Sequence, residues 1–163
     1  MRGVEFGLPV ELHGWQCARA TYIVARLYEK LFSITPNRGK AIEYVEKFDY
    51  NALTEKLKKF LGKGAQTMIE LEKKEGKYDK DKHKSRLDRI LENWQNILTI
   101  VQEEIPSSSE IAKLFKAMGM DNLLSLQDNQ NLFTILQATK DIRDKYILSR
   151  LLWDLGIIQE INL

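Results

Sequence analysis

At 163 residues the chain is long enough to bury a sizeable core in one domain, and with 44% hydrophobic and 29% charged residues it is too apolar for disorder. A formal charge of +2 does not by itself imply a nucleic-acid or membrane partner, and a single cysteine excludes an internal disulfide framework and any CxxC metal site. The opening MRGVEFGLPVELHGW lacks the apolar core of a secretory signal, and no run of about 18 apolar residues is present to span a bilayer, so a cytoplasmic location is expected.

Apolar residues recur at three- and four-residue spacing almost throughout, which predicts an all-α chain. The first helix is predicted from about Leu12 to Phe32, with Ile23, Leu27, Leu31, Val24 and Tyr28 inward and Thr35 to Asn37 ending it. A second runs from about Arg38 to Phe48, and Asn51 is the expected N-cap of a third that stops at Gly62. A fourth covers about Ala65 to Lys74 and ends near Gly76. One long helix is then predicted from about Asp79 to Ile105, inward through Leu87, Leu91, Trp94, Leu98 and Val101, with Pro106 as its stop. Ser107 with Glu110 forms a capping-box pattern before a helix closing at Gly119, and Ser125 with Asp128 gives a similar start to the next. The last helix is read from Arg143 and closes on Gly156 as a C′ glycine. The expectation is a bundle of about seven or eight helices. No repeat or linker divides it, so residues 1–163 are read as a single helical domain.

Three features bear on chemistry. His13 and Cys17 are four residues apart, so on a helix they share a face and supply two corners of a metal site, where a stable site needs three or four ligands. Cys17 is expected to be buried as a small hydrophobe. Gly14 removes side-chain bulk next to His13. Trp94 and Trp153 lie on apolar stripes and read as core, whereas Trp15 stands beside His13 near a pocket or an interface. Residues 54–89 carry twelve Lys/Arg against seven Asp/Glu. A phosphate-binding surface is one reading, but the interleaved acids and the lack of alternating aromatics favour a solvated face. His83, within that run, has no Asp, Cys or second His placed by the sequence to converge on it. No P-loop, GxGxxG, GxSxG or HExxH occurs, so the chain carries no recognisable catalytic motif of its own.

The segment LHGWQCARATYIVARLYEKL, Leu12 to Leu31, resembles the metal-site helix of the iron-containing alcohol dehydrogenase superfamily, nearest its glycerol-1-phosphate dehydrogenase branch. That helix carries an HGxxVGxGT-like pattern, matched here by His13, Gly14 and Thr21. IPSSSEIAKLFKAMGM, Ile105 to Met120, is similar to the family's proline-led helix, and ATKDIRDKYILSRLLWDLG, Ala138 to Gly156, resembles its late A…IRDRYTIL…LxDLG signature. The resemblance implies the helical C-terminal domain of the dehydroquinate synthase-like and iron-containing alcohol dehydrogenases, which sits beneath a nucleotide-binding α/β domain. In such enzymes an Asp and two His hold a divalent metal (zinc, iron or nickel), and NAD(P)H reduces dihydroxyacetone phosphate.

His13 matches one histidine ligand. No Asp precedes Asp49 and no His precedes His13, so the other ligands and the cofactor fold are expected outside this chain, which alone should neither turn over nor bind metal or NAD(P) tightly. Trp15, Cys17, Ala18 and Ala20 depart from the pattern, and the alanine methyl groups would narrow a cleft that glycine keeps open; Lys145 replaces an Arg of the late motif. The partner implied is the nucleotide-binding domain or subunit, with a homo-oligomer as a further expectation and neither nucleic acid nor membrane. An alternative of another class is a stand-alone helical interaction or oligomerisation module derived from such an enzyme.

Overall fold

A computed structural model of the chain describes residues 12–125, 129–142 and 145–161. Apart from short 3-10 turns, regular structure among these residues is α-helical: α1 (His13–Lys30), α2 (Arg38–Glu46), α3 (Tyr50–Leu61), α4 (Ala65–Glu75), α5 (Lys80–Glu92), α6 (Trp94–Glu104), α7 (Ser108–Ala117), α8 (Asn129–Ile142) and α9 (Leu148–Asp154). None is long and apolar enough to cross a membrane. The chain forms two compact units. One combines the residues up to Ser33 with Leu98–Gln127; the other combines Ile34–Ile97 with Asp128–Asn162.

In the first unit α1 packs on α7 and on the 3-10 turn Asp121–Leu124. Ala25, Ile111, Phe115 and Leu123 form a buried cluster, with Ala18, Tyr22, Met120 and Leu124 against it. Leu27 and Leu31 are buried as expected, but Val24 is exposed and Ala25 takes an inward place. A small side chain at the contact lets two helices approach, because interaxial distance follows the residues between them. The capping box of α7 is formed: Ser107 Oγ accepts from Glu110 N at 3.2 Å, and Glu110 Oε2 accepts from Ser107 N at 2.9 Å. Glu29, near the end of α1, accepts from Ser108 N at 2.6 Å and from its hydroxyl at 2.8 Å, so a carboxylate from one helix completes the N-terminus of the other.

The second unit is built around Trp153, which has no solvent exposure. Tyr44, Phe48, Tyr78 and His83 meet its ring edge-on at centroid distances of 6.1, 5.2, 5.0 and 5.6 Å. Every residue of α9 is buried.

Local details here differ from the sequence reading. Asp49, not Asn51, caps α3, accepting from Ala52 N at 3.0 Å; the earlier start brings Tyr50 into the helix with its ring 5.2 Å from that of Tyr78. The long helix predicted over 79–105 breaks at Asn93, into α5 and α6. Asn93 has φ −107° and ψ 14°, and its side-chain amide donates to Arg89 O at 2.9 Å, the same carbonyl its own N–H reaches at 3.2 Å. This is the competition with the helix ladder that disfavours Asn in helix interiors. The last helix begins at Leu148, since Lys145 to Ile147 are not helical. Arg143, its predicted first residue, and Asp128 of the Ser125/Asp128 start lie outside the described residues.

Gly156 ends α9 as predicted. Its φ is 74°, with Gly156 N donating to Trp153 O and Ile157 N to Leu152 O. A Cβ there would lie 3.0 Å from both Ala41 Cα and Tyr44 Cβ of α2. Gly119 has a similar φ of 68° with no atom near its would-be Cβ. Gly119→Ala should therefore cost about 1 kcal/mol from backbone strain alone. Gly156→Ala should cost about 3 kcal/mol, because strain is joined by a clash with helix backbone. Urea midpoints of the two variants check the difference.

Candidate functional site

His13 opens α1, preceded by Leu12, which offers no side-chain cap. The imidazole and Cys17 are both exposed, and Nε2 lies 3.5 Å from Cys17 Sγ, so the helix brings this pair together as its spacing predicts. The expectation that Cys17 is buried is overturned. The inward face of α1 runs through Ala18, Tyr22 and Ala25, and one residue is about 100° of helix rotation, which turns Cys17 away from it. Trp15 is 37% exposed, and a Cβ on Gly14 would meet nothing within 4 Å. Among the described residues no three His, Cys, Asp or Glu side chains come together as a metal site requires. The described residues thus offer His13 and Cys17 as two donors and do not fit a complete metal centre.

The denser chemistry lies in the second unit, where the late motif Ala138 to Gly156 carries charge into the core. Asp154 is fully buried. Arg86 grips it through Nε at 3.2 Å from Oδ2 and Nη2 at 3.1 Å from Oδ1, and Tyr146 OH donates to Oδ2 at 2.8 Å. Burial, then the carboxylate, pushes the Tyr146 phenol well above its ordinary range. Arg150 Nε lies 3.7 Å from Asp154 Oδ1, and its guanidinium stacks 4.2 Å over Trp153 and 4.9 Å over Tyr78. Lys77 O accepts from Arg150 and, at 2.9 Å, from Arg86.

Asp141, also fully buried, accepts from Tyr78 OH and pairs with Lys140. Burial pulls the Lys140 ammonium below its usual pKa against the opposing pull of Asp141, and burial pushes the Tyr78 phenol far up. Glu72, on α4, is 1% exposed and neither carboxyl oxygen has a hydrogen-bond partner. Burial first, and the neighbouring Asp141 second, push its pKa up to about 9.

Sequence gave His83 no converging acid, but α9 places Asp154 there. His83 Nε2 donates to Asp154 O at 2.9 Å and lies 4.0 Å from its carboxylate, and burial lowers the imidazole pKa. This bond ties α5 to α9. Lys140, Asp141, Arg150 and Asp154 lie in the segment Ala138 to Gly156, but the sequence did not mark them as a buried charge cluster. The available signal was Arg150 and Asp154 at i and i+4 on a helix otherwise made of Leu148, Leu151, Leu152 and Trp153. Glu72, amid the charges of residues 54–89, offered none.

The chain matches no family model, no curated protein and no solved structure.

Proposed function

We propose that the chain is the C-terminal, metal- and substrate-side domain of a glycerol-1-phosphate dehydrogenase-like oxidoreductase, working with a nucleotide-binding domain as part of the same enzyme or as a partner subunit. The supporting observation is His13: it stands exposed on the first turn of α1, directly before Gly14, with its imidazole contacting Cys17 and not committed to the core. A divalent metal held by His13 together with ligands from the nucleotide-binding domain would supply Lewis-acid polarisation of a substrate carbonyl for hydride from NAD(P)H. This chain's share is one imidazole presented on the first turn of α1.

Co-expression with the nucleotide-binding domain of an intact glycerol-1-phosphate dehydrogenase tests the reading. Metal-dependent NAD(P)H oxidation with dihydroxyacetone phosphate is the expected result, with a loss of at least about a hundredfold in His13→Ala, the order seen when a metal site is disturbed. A folded, metal-loaded complex without that activity overturns it.

A second reading, a helical interaction module, draws on Leu12, Trp15, Val24 and Phe32, which are 74%, 37%, 40% and 49% exposed along α1 and its extension. Concentration-dependent sedimentation of the chain alone supports the self-associating version, and a strictly monomeric chain opposes it.

A further inference from the structure

His13, Cys17, Ala20 and Val24 follow one another on α1 at spacings of four, three and four residues, and all four are exposed. Leu27 and Leu31 continue the same line of the helix but are buried. Alternating steps of four and three residues make the seam along which two helices pair side by side, and in a same-direction pair each residue of the seam meets its own copy. The first half of this seam stands uncovered, although Ala20 and Val24 are apolar, and its open end carries two metal donors.

Those donors already stand at the separation a shared ion requires. His13 Nε2 lies 3.5 Å from Cys17 Sγ, and Nδ1 is farther, at 4.0 Å. Zn–N and Zn–S bonds of about 2.0 and 2.3 Å at a tetrahedral angle set two ligand atoms about 3.5 Å apart. Both side chains are exposed, so the imidazole can turn its lone pair to an ion without disturbing the core. One copy supplies two ligands where a closed zinc site takes four, so a monomer holds the ion weakly. A two-fold axis between copies doubles the pair, because such an interface presents the same residues from both sides.

We propose that two copies of this chain bind one zinc ion between them through His13 and Cys17 of each, a site of two cysteines and two histidines that pairs the N-terminal halves of α1. Each Cys17 thiol gives its proton to solvent and the imidazoles bind neutral, so two thiolates cancel the charge of the ion and two protons are released per zinc. An S–H···N hydrogen bond within one copy fits the same distance but needs no second chain. The proposal does not rest on the dehydrogenase reading. Its test contains neither a nucleotide-binding domain nor a substrate, so either can fail without the other.

Sedimentation equilibrium of the full chain at pH 7, kept reduced so that no disulfide joins the copies, compares zinc chloride with EDTA. Zinc should tighten dimerisation at least about a hundredfold, saturate at one ion for two chains and lose its effect when EDTA is added. Cys17→Ser and His13→Ala, both at exposed positions, should stay folded and monomeric in zinc. Cobalt in place of zinc gives a readout that a merely structural role would not move: a thiolate-to-cobalt charge-transfer band in the unaltered chain that Cys17→Ser lacks. An equally strong dimer in EDTA, zinc bound one to a chain without dimerisation, or a zinc dimer retained in Cys17→Ser overturns the proposal. So does a chain that zinc leaves monomeric, and the contact between Sγ and Nε2 is then a hydrogen bond within one copy.

Discussion

Asp154→Ala is expected to cost about 4 kcal/mol of folding stability, read as a lower urea midpoint with little change in slope. The carboxylate is fully buried, and it is the acceptor for both ends of the Arg86 fork, for Tyr146 OH and, at longer range, for Arg150. Removing it leaves the Arg86 and Arg150 guanidinium groups without their shared counter-charge, and the Tyr146 hydroxyl without its acceptor. The magnitude follows from that asymmetry: breaking a buried pair from one side costs several kcal/mol even where the intact pair adds little over an apolar replacement. Asp154→Asn keeps the shape and one acceptor oxygen, so it should fall between wild type and alanine. The contrasting case is Arg38–Asp88, paired at 2.7 Å with side chains 52% and 45% exposed. Arg38→Ala should leave the urea midpoint where it is, because solvent screens that pair and replaces its hydrogen bonds. Equal losses in Asp154→Ala and Arg38→Ala would show that the α9 charges are not the centre of this unit.

The same contrast explains what the sequence disclosed. Helix existence was legible because period, caps and stops coincide: Ser107 with Glu110, Gly62, Gly76, Gly119 and Gly156 each mark a helix end that the structure contains. Asn93 escaped notice because the apolar stripe continues through it, and only a side chain bonding back to Arg89 O interrupts the ladder. Cys17 was misplaced because packing against α7 decides which side of α1 faces inward, and an isolated period leaves that rotation free by a residue. The His13–Cys17 pair needed only helix geometry and was readable. The charged core was not: Glu72 meets Asp141, and Arg86 meets Asp154, across separations of 69 and 68 residues that no local pattern encodes.

Glu72 should contribute less to stability as pH rises from 5 to 9, read as a wild-type urea midpoint that falls relative to that of Glu72→Gln across the interval. The folded-state pKa of Glu72 is about 9 against an ordinary 4.5, so the folded form holds a proton that the unfolded form releases. The contribution is complete below about pH 4.5, erodes as pH rises above it, and is lost by the time the folded pKa is passed. The full free-energy equivalent between pH 4.5 and 7 is about 3 kcal/mol, and relaxation around a carboxyl that shares its surroundings with Asp141 reduces the expected change to about 2 kcal/mol.

The groups around Glu72 fix the direction. Asp141 from α8 adds negative charge beside it, and Tyr50 and Tyr78 stay neutral, with burial raising both phenols. Lys140 and Lys77 pull the other way without reversing the effect. The Lys140 ammonium, lowered by burial against the opposing pull of Asp141, acts in the opposite direction as pH climbs. Urea unfolding at pH 5, 7 and 9 measures the slope. Glu72→Gln, neutral at every pH, should lie close to wild type at pH 5 and above it at pH 9. A wild-type midpoint that does not fall relative to Glu72→Gln across this interval would mean that the fold does not hold the Glu72 proton.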